Sequence, residues 1–121
     1  MSAEHIHFFL QLRNQIKLYH WQTRVYARHI ATDTILEKLE ERIDNFVEVY
    51  LGRYGRPRLT GKNASISLQN LTEAGAVRMI KAAMKYVQGM HKQVQTQTDL
   101  INILDDILKE LGQLIYLFTL H

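Results

Sequence analysis

Residues 27–51, ARHIATDTILEKLEERIDNFVEVYL, carry two interleaved patterns. Thr32, Leu36, Leu39, Ile43, Phe46 and Tyr50 recur at steps of three and four, the period of a helix with one apolar face. The pattern predicts a helix from near Ala27 to about Leu51, with Gly52 placed to stop it. The second pattern is polar. At about 100° per residue, with His29 as zero, Asp33 falls near 40°, Asp44 near 60° and Glu48 near 100°. The apolar stripe centres near 300° on the same wheel. The polar band, which Glu37 and Glu40 also line, therefore lies beside the core face and not opposite it.

The same period continues on both sides. Phe9, Leu12, Ile16 and His20 mark one face of a helix from about Ala3 to Thr23. Gly52 to Lys62 holds the only proline, Pro57, three glycines and no acid, and reads as a long loop. Beyond it, Asn70 with Glu73 resembles a capping box for a third helix carrying Val77, Ile80, Met84 and Val87, weakening around Gly89. Thr96, Thr98 and Asp99 offer a start for a fourth. Its stripe is Leu100, Ile103, Leu104, Ile107, Leu111, Leu114, Ile115 and Phe118. The expected fold is all-α: an antiparallel four-helix bundle in a single domain over residues 1–121, with one longer crossover between the second and third helices.

Composition narrows the function classes. The 46% hydrophobic content excludes a mainly disordered chain. With no cysteine, disulfides, thiolate zinc sites and cysteine nucleophiles are excluded, and a reducing, cytoplasmic setting is expected. A net charge of +3 is too mild to imply a nucleic-acid partner by itself. No apolar run approaches the ~18 residues of a membrane span, and Met1 to His5 lacks the pattern of a signal peptide.

Histidine with two or three carboxylates is a ligand set for non-haem iron or a similar divalent ion. His29 with Asp33, and Asp44 with Glu48, are each spaced i, i+4 and can each converge on one ion. The two pairs lie ~22 Å apart along the axis, so one ion cannot bridge them within a chain. If two copies of the helix cross antiparallel near Lys38 and Leu39, each His29/Asp33 end meets the partner's Asp44/Glu48 end. His20, on the inner face of the first helix, can reach the same place. An intrachain carboxylate-bridged site of the usual kind needs two Glu-x-x-His motifs, and the chain lacks that pair. On spacing alone, the acidic band also reads as a solvated face and His20 as a core histidine.

The order His20-Trp21, His29-x-x-x-Asp33, Asp44-x-x-x-Glu48 closely resembles the ferroxidase signature of the Dps family, the miniferritins. Thr98-Asp99-Leu100 and the segment Leu111 to His121 resemble that family's last helix. The resemblance implies a ferritin-like bundle that binds and oxidises Fe(II) with peroxide or O2, for iron storage and protection from oxidative stress. It implies a two-ion site with His20, His29 and Asp33 from one subunit and Asp44 and Glu48 from its two-fold mate. Trp21 would stand beside the site as an electron donor, or simply anchor a helix end. Assembly as a dimer at least, and as a twelve-subunit hollow shell at most, is implied too. Against the family pattern, the His20 to His29 interval is short, little room remains for a short helix between residues 53 and 70, and there is no long basic N-terminal tail.

Arg53, Arg56, Arg58 and Lys62 form a basic loop with Tyr54 interleaved. Such a loop can contact phosphates, giving DNA as a further partner and a nucleoid location, or it can be a solvated loop or pair with acids of a neighbouring subunit. The alternative function is a nucleic-acid-binding or structural oligomer of the same fold with weakened iron chemistry. A metal-free helical interaction module is the third reading.

Overall fold

The computed structural model describes residues 2–120; Met1 and His121, the ends of the two terminal segments read above, lie outside the described residues. Four α-helices account for most of it: α1 (Ser2–Gln22), α2 (Tyr26–Tyr54), α3 (Glu73–Gln93) and α4 (Thr98–Leu117). Between α2 and α3 lies a single 3-10 turn at Gly61–Ala64, and no strand occurs among the described residues.

Side-chain partners fix the directions. Arg13 bonds Glu40 while His20 bonds the carbonyl of His29, so α1 and α2 run antiparallel. Arg42 with Glu110 and Arg53 with Asp99 make α2 and α4 antiparallel. His5 with Tyr86 and Tyr19 with Glu73 do the same for α1 and α3. The order is therefore up, down, down, up. Residues 55–72 must travel the length of the bundle, because α2 ends beside the start of α4 and α3 begins beside the end of α1.

One apolar cluster fills the centre, with Phe9, Ile16, Tyr19, Ile35, Leu39, Phe46, Ile80, Leu104, Ile107 and Leu111 almost wholly buried. All six residues of the predicted α2 stripe are buried. In α3 the buried set is Ala76, Ile80, Ala83, Val87 and Met90, so Val77 and Met84 sit at the margin and not at the centre. The small side chains of Ala76 and Ala83 face the core and let α3 approach closely. A periodicity search keyed to large apolar residues assigns them too little weight.

The crossover lies against α1 in a regular way. The Gln15 side-chain amide donates to the Gln69 carbonyl and its oxygen accepts the Gln69 N–H, at 2.9 and 2.8 Å. Gln11 accepts the Ser67 N–H, and His7 bonds the Ser65 carbonyl. Helix positions 7, 11 and 15 thus meet chain positions 65, 67 and 69. Four helical residues rise about 6 Å and two extended residues about 6.6 Å, so the two registers match. These side chains satisfy backbone groups that have no strand partner.

Three predicted boundaries are corrected. Helix α2 runs through Gly52 and stops at Gly55, whose φ of 88° and ψ of 177° suit glycine alone. The N-cap of α3 is Thr72, whose hydroxyl accepts the Gly75 N–H at 2.9 Å; Asn70 instead accepts from Gln22. Helix α4 begins at Thr98, within the expected start, after Gln97 and without a capping side chain, and Asp99 accepts from Leu100 N–H. Helix α3 also continues through Gly89 to Gln93. The two glycines near the end of α2 should answer oppositely to alanine. Neither added methyl meets an atom within 4 Å, so backbone conformation decides. Gly52→Ala should stabilise by about 0.5–1 kcal/mol, and Gly55→Ala should destabilise by about 1–3 kcal/mol. Urea unfolding of both variants reads the two signs.

Candidate metal-binding site

The short connection of residues 23–25 brings the end of α1 against the start of α2. There His20 and His29 stack with ring centroids 4.0 Å apart and planes within 13°. Each ring bonds the other's backbone: His20 Nδ1 lies 2.8 Å from the His29 carbonyl, and His29 Nδ1 lies 2.9 Å from the His20 carbonyl. A carbonyl can only accept, so both Nδ1 atoms carry the proton and donate. In the neutral rings both Nε2 atoms are then bare lone pairs. Thr32, fully buried, is 2.9 Å from His20 Nδ1 and donates its own hydroxyl to the Arg28 carbonyl. The local reason for the clasp is plain. His20 lies in the last turn of α1, where carbonyls lack helical partners, and His29 supplies a donor to one of them.

His20 is buried and His29 half-buried. No buried side-chain nitrogen or oxygen lacks a partner among the described residues. His20 Nε2 makes no hydrogen bond among the described residues, so it must reach solvent. Asp33, one turn beyond His29, is exposed, as are Asp44 and Glu48. Within one chain, no group of three or more His, Asp or Glu side chains gathers among the described residues. The two ligand pairs therefore stand apart, as their ~22 Å axial offset requires. Trp21 is 67% exposed, with the Lys17 ammonium 5.5 Å from its ring centre. The one Glu-x-x-His stretch, Glu4 to His7, lies at the opposite end of α1.

Beneath the histidine pair is a polar knot that periodicity did not reveal. The buried Tyr19 hydroxyl donates to Glu73 at 2.5 Å, and Thr23 bonds the same carboxylate. Arg28 donates to the Tyr19 hydroxyl and to the Glu73 carbonyl, and its guanidinium lies 4.5 Å from the Phe118 ring centre. Burial, then the bond to Glu73, raises the Tyr19 pKa. The knot ties α1, α2 and α3 at the end that carries the His pair, and the Arg28 contact with Phe118 adds the residue that closes α4. Glu110, 3% exposed and facing Arg42, was also missed, because it interrupts no apolar position of α4. Of the basic loop, Arg53 belongs to the last turn of α2 and is held by both carboxylate oxygens of Asp99. That contact, with the Leu100 N–H, holds Asp99 below the usual carboxylate range. Arg56, Arg58 and Lys62 are exposed.

The molecule is thus an all-helical protein with a histidine clasp at one end and a carboxylate-lined outer helix. It belongs to the family of unknown function DUF5856, whose pattern matches residues 20–118. It is similar to an uncharacterised 14.6 kDa protein from the mobD–ri intergenic region of Enterobacteria phage T4. The two are 31% identical over 102 residues, spanning 84% of this chain and 75% of that protein. No solved structure matches. No helix among the described residues is long and apolar enough to cross a membrane.

Proposed function

We propose that the chain is a ferritin-like, Dps-like subunit that binds and oxidises Fe(II) at sites shared by two copies. The observation that carries this reading is the histidine clasp. Tying each Nδ1–H to a carbonyl is the arrangement that fixes a histidine for metal binding through Nε2. The pair stands one turn from the exposed Asp33 carboxylate. Imidazole nitrogen with carboxylate oxygen suits iron, and the hard anionic oxygens favour Fe(III) once formed.

The outer face of α2 supports the shared site independently. A crossing near Lys38 and Leu39 sets His29 opposite the mate's Glu48 and Asp33 opposite its Asp44. The same register sets Ile30 opposite the mate's Val47 and Tyr26 opposite its Leu51. Tyr26 is 76% exposed and Ile30 is also exposed in the single chain. The register that assembles the ligands therefore also covers apolar side chains. The up-down-down-up course with one long crossover agrees with a ferritin-like bundle. In the reaction two Fe(II) each give one electron to one peroxide, which takes two protons and leaves as two waters; O2 is the other candidate oxidant. Trp21, next to His20 in the chain, would donate an electron to a stray oxidant. A larger shell, DNA contact through the loop cations, and a cytoplasmic or nucleoid location belong to the same proposal.

The experiment follows Fe(II) oxidation by absorbance with size-exclusion chromatography in parallel. The parent is expected to oxidise iron as a dimer or larger. Asp44→Ala/Glu48→Ala is expected to lose fast oxidation while helicity stays. Its apo form is expected to be no less stable, since two neighbouring carboxylates repel. Oxidation at the parental rate by this double variant rejects the site.

A further inference from the structure

Helices α1 and α3 meet through His5 with Tyr86 at one end and Tyr19 with Glu73 at the other. Between those contacts a recess of about 320 Å³ opens beside the crossover. Its floor is Leu12 and Ala83, both buried, and its sides are the half-buried Phe8, Met79 and Tyr86 with the exposed Ala82. Phe8 and Tyr86 stack with ring centroids 3.9 Å apart and planes within 14°, and His5 holds the Tyr86 hydroxyl. That wall is therefore fixed before anything binds. The remaining side is the crossover at Ser67 and Gln69, and there the side-chain ladder has a gap. Gln15 both donates to Gln69 and accepts from it. Gln11 accepts the Ser67 N–H at 3.1 Å, which fixes its amide oxygen on that side, but its Nε2 makes no hydrogen bond among the described residues. The Ser67 carbonyl makes none either. In an extended segment the N–H and C=O of one residue point to the same side, so this carbonyl faces α1 as its N–H does. A free donor and a free acceptor thus stand together on the rim of an apolar recess.

We propose that this recess binds a small, flat ring molecule whose edge carries a cyclic amide. Small-molecule sites are mostly apolar, hold a few placed polar groups and form between the helices of bundles. The walls suit a ring: two aromatic side chains, and the polarisable sulfur of Met79. The rim sets the edge chemistry. The ligand carbonyl accepts from Gln11 Nε2, and the ligand N–H donates to the Ser67 carbonyl. Both groups must point the same way, which is the cis arrangement of an amide closed in a ring. An open peptide is trans, with its C=O and N–H in opposite directions, so a strand from another protein offers only one of them here. The recess shares no residue with the histidine clasp and does not depend on the iron reading.

The test titrates nitrogen-15-labelled protein with 2-quinolinone, a small bicyclic lactam, and follows the Gln11 side-chain amide by NMR. Saturable shifts are expected there and at Ala82, Ala83 and Tyr86, with a dissociation constant of about 0.1 mM for a probe of this size. N-methyl-2-quinolinone keeps the ring and the carbonyl but has no N–H for Ser67, and is expected to bind about tenfold more weakly. Gln11→Glu still accepts the Ser67 N–H but has no donor for the ligand carbonyl. It is expected to weaken 2-quinolinone about tenfold, read at the Ala82 and Ala83 amides. Ala82→Leu, a change that a helix tolerates, fills the recess and is expected to weaken both probes. Circular dichroism verifies that each variant is folded; should Gln11→Glu unfold, Ala82→Leu and the methylated probe decide. The proposal is overturned if 2-quinolinone gives no saturable shift at Gln11 up to about fifty times the expected constant. Equal binding of the two probes overturns the cyclic-amide edge, and parental affinity in folded Ala82→Leu overturns the recess itself.

Discussion

Two inactive variants, mixed, should recover about a quarter of the parental Fe(II) oxidation sites. One carries His29→Ala and Asp33→Ala, the other Asp44→Ala and Glu48→Ala. On the proposed reading, each alone lacks half of every shared site. In a mixed dimer the intact His29/Asp33 of one chain meets the intact Asp44/Glu48 of the other, and the second site loses all four groups. Random pairing makes about half of the dimers mixed, each with one working site of two. The structure suits this design, because Asp33, Asp44 and Glu48 are exposed and make no ion pair among the described residues. His29 does hold the His20 carbonyl, so helicity of that variant is measured first. A verified heterodimer population that stays inactive rejects the shared site, since a site within one chain is damaged in every subunit.

Phe46→Ala should produce the largest loss of stability. The side chain is buried against Phe9 and Tyr50, with ring centroids 5.7 and 5.5 Å away. Those partners sit on two helices that cannot close the gap without dragging Arg13 and Glu40 with them. The expected cost is about 3–5 kcal/mol. At this chain length that is a fall in melting temperature of roughly 10–20 °C. Thermal unfolding followed at 222 nm [a helix signal] checks it; a fall under a few degrees would show that the core around α1 and α2 repacks freely.

How far the residues disclosed this architecture varied with the kind of signal. The faces of α1, α2 and α4 were legible because large apolar side chains at helical spacing have one economical burial. The ends of α2 and α3 were less so. Gly52 and Gly55 are both plausible stops, and only the second adopts a backbone that other residues avoid. Asn70 and Thr72 compete for one cap, and the winner is set by where the crossover lands on α1. At the site, His20 and His29 were legible as a pair, but their mutual carbonyl bonds depend on a turn only residues 23–25 long. The Tyr19, Arg28 and Glu73 knot was not legible at all. Its members come from three helices and share no spacing.

The match between positions 7, 11 and 15 of α1 and positions 65, 67 and 69 of the crossover also bears on the order of events as the chain folds. The α1–α2 and α3–α4 pairs are joined by short links and can form locally and early. Neither pair buries its core face alone. Their union requires the connecting segment to close across the whole bundle, a step whose entropic cost rises with the length of chain enclosed. The glutamine amides of α1 reward that closure only when α1 is already helical and the segment already extended. The side-chain ladder thus works as a latch that holds the two hairpins in a single relative register once the segment has closed.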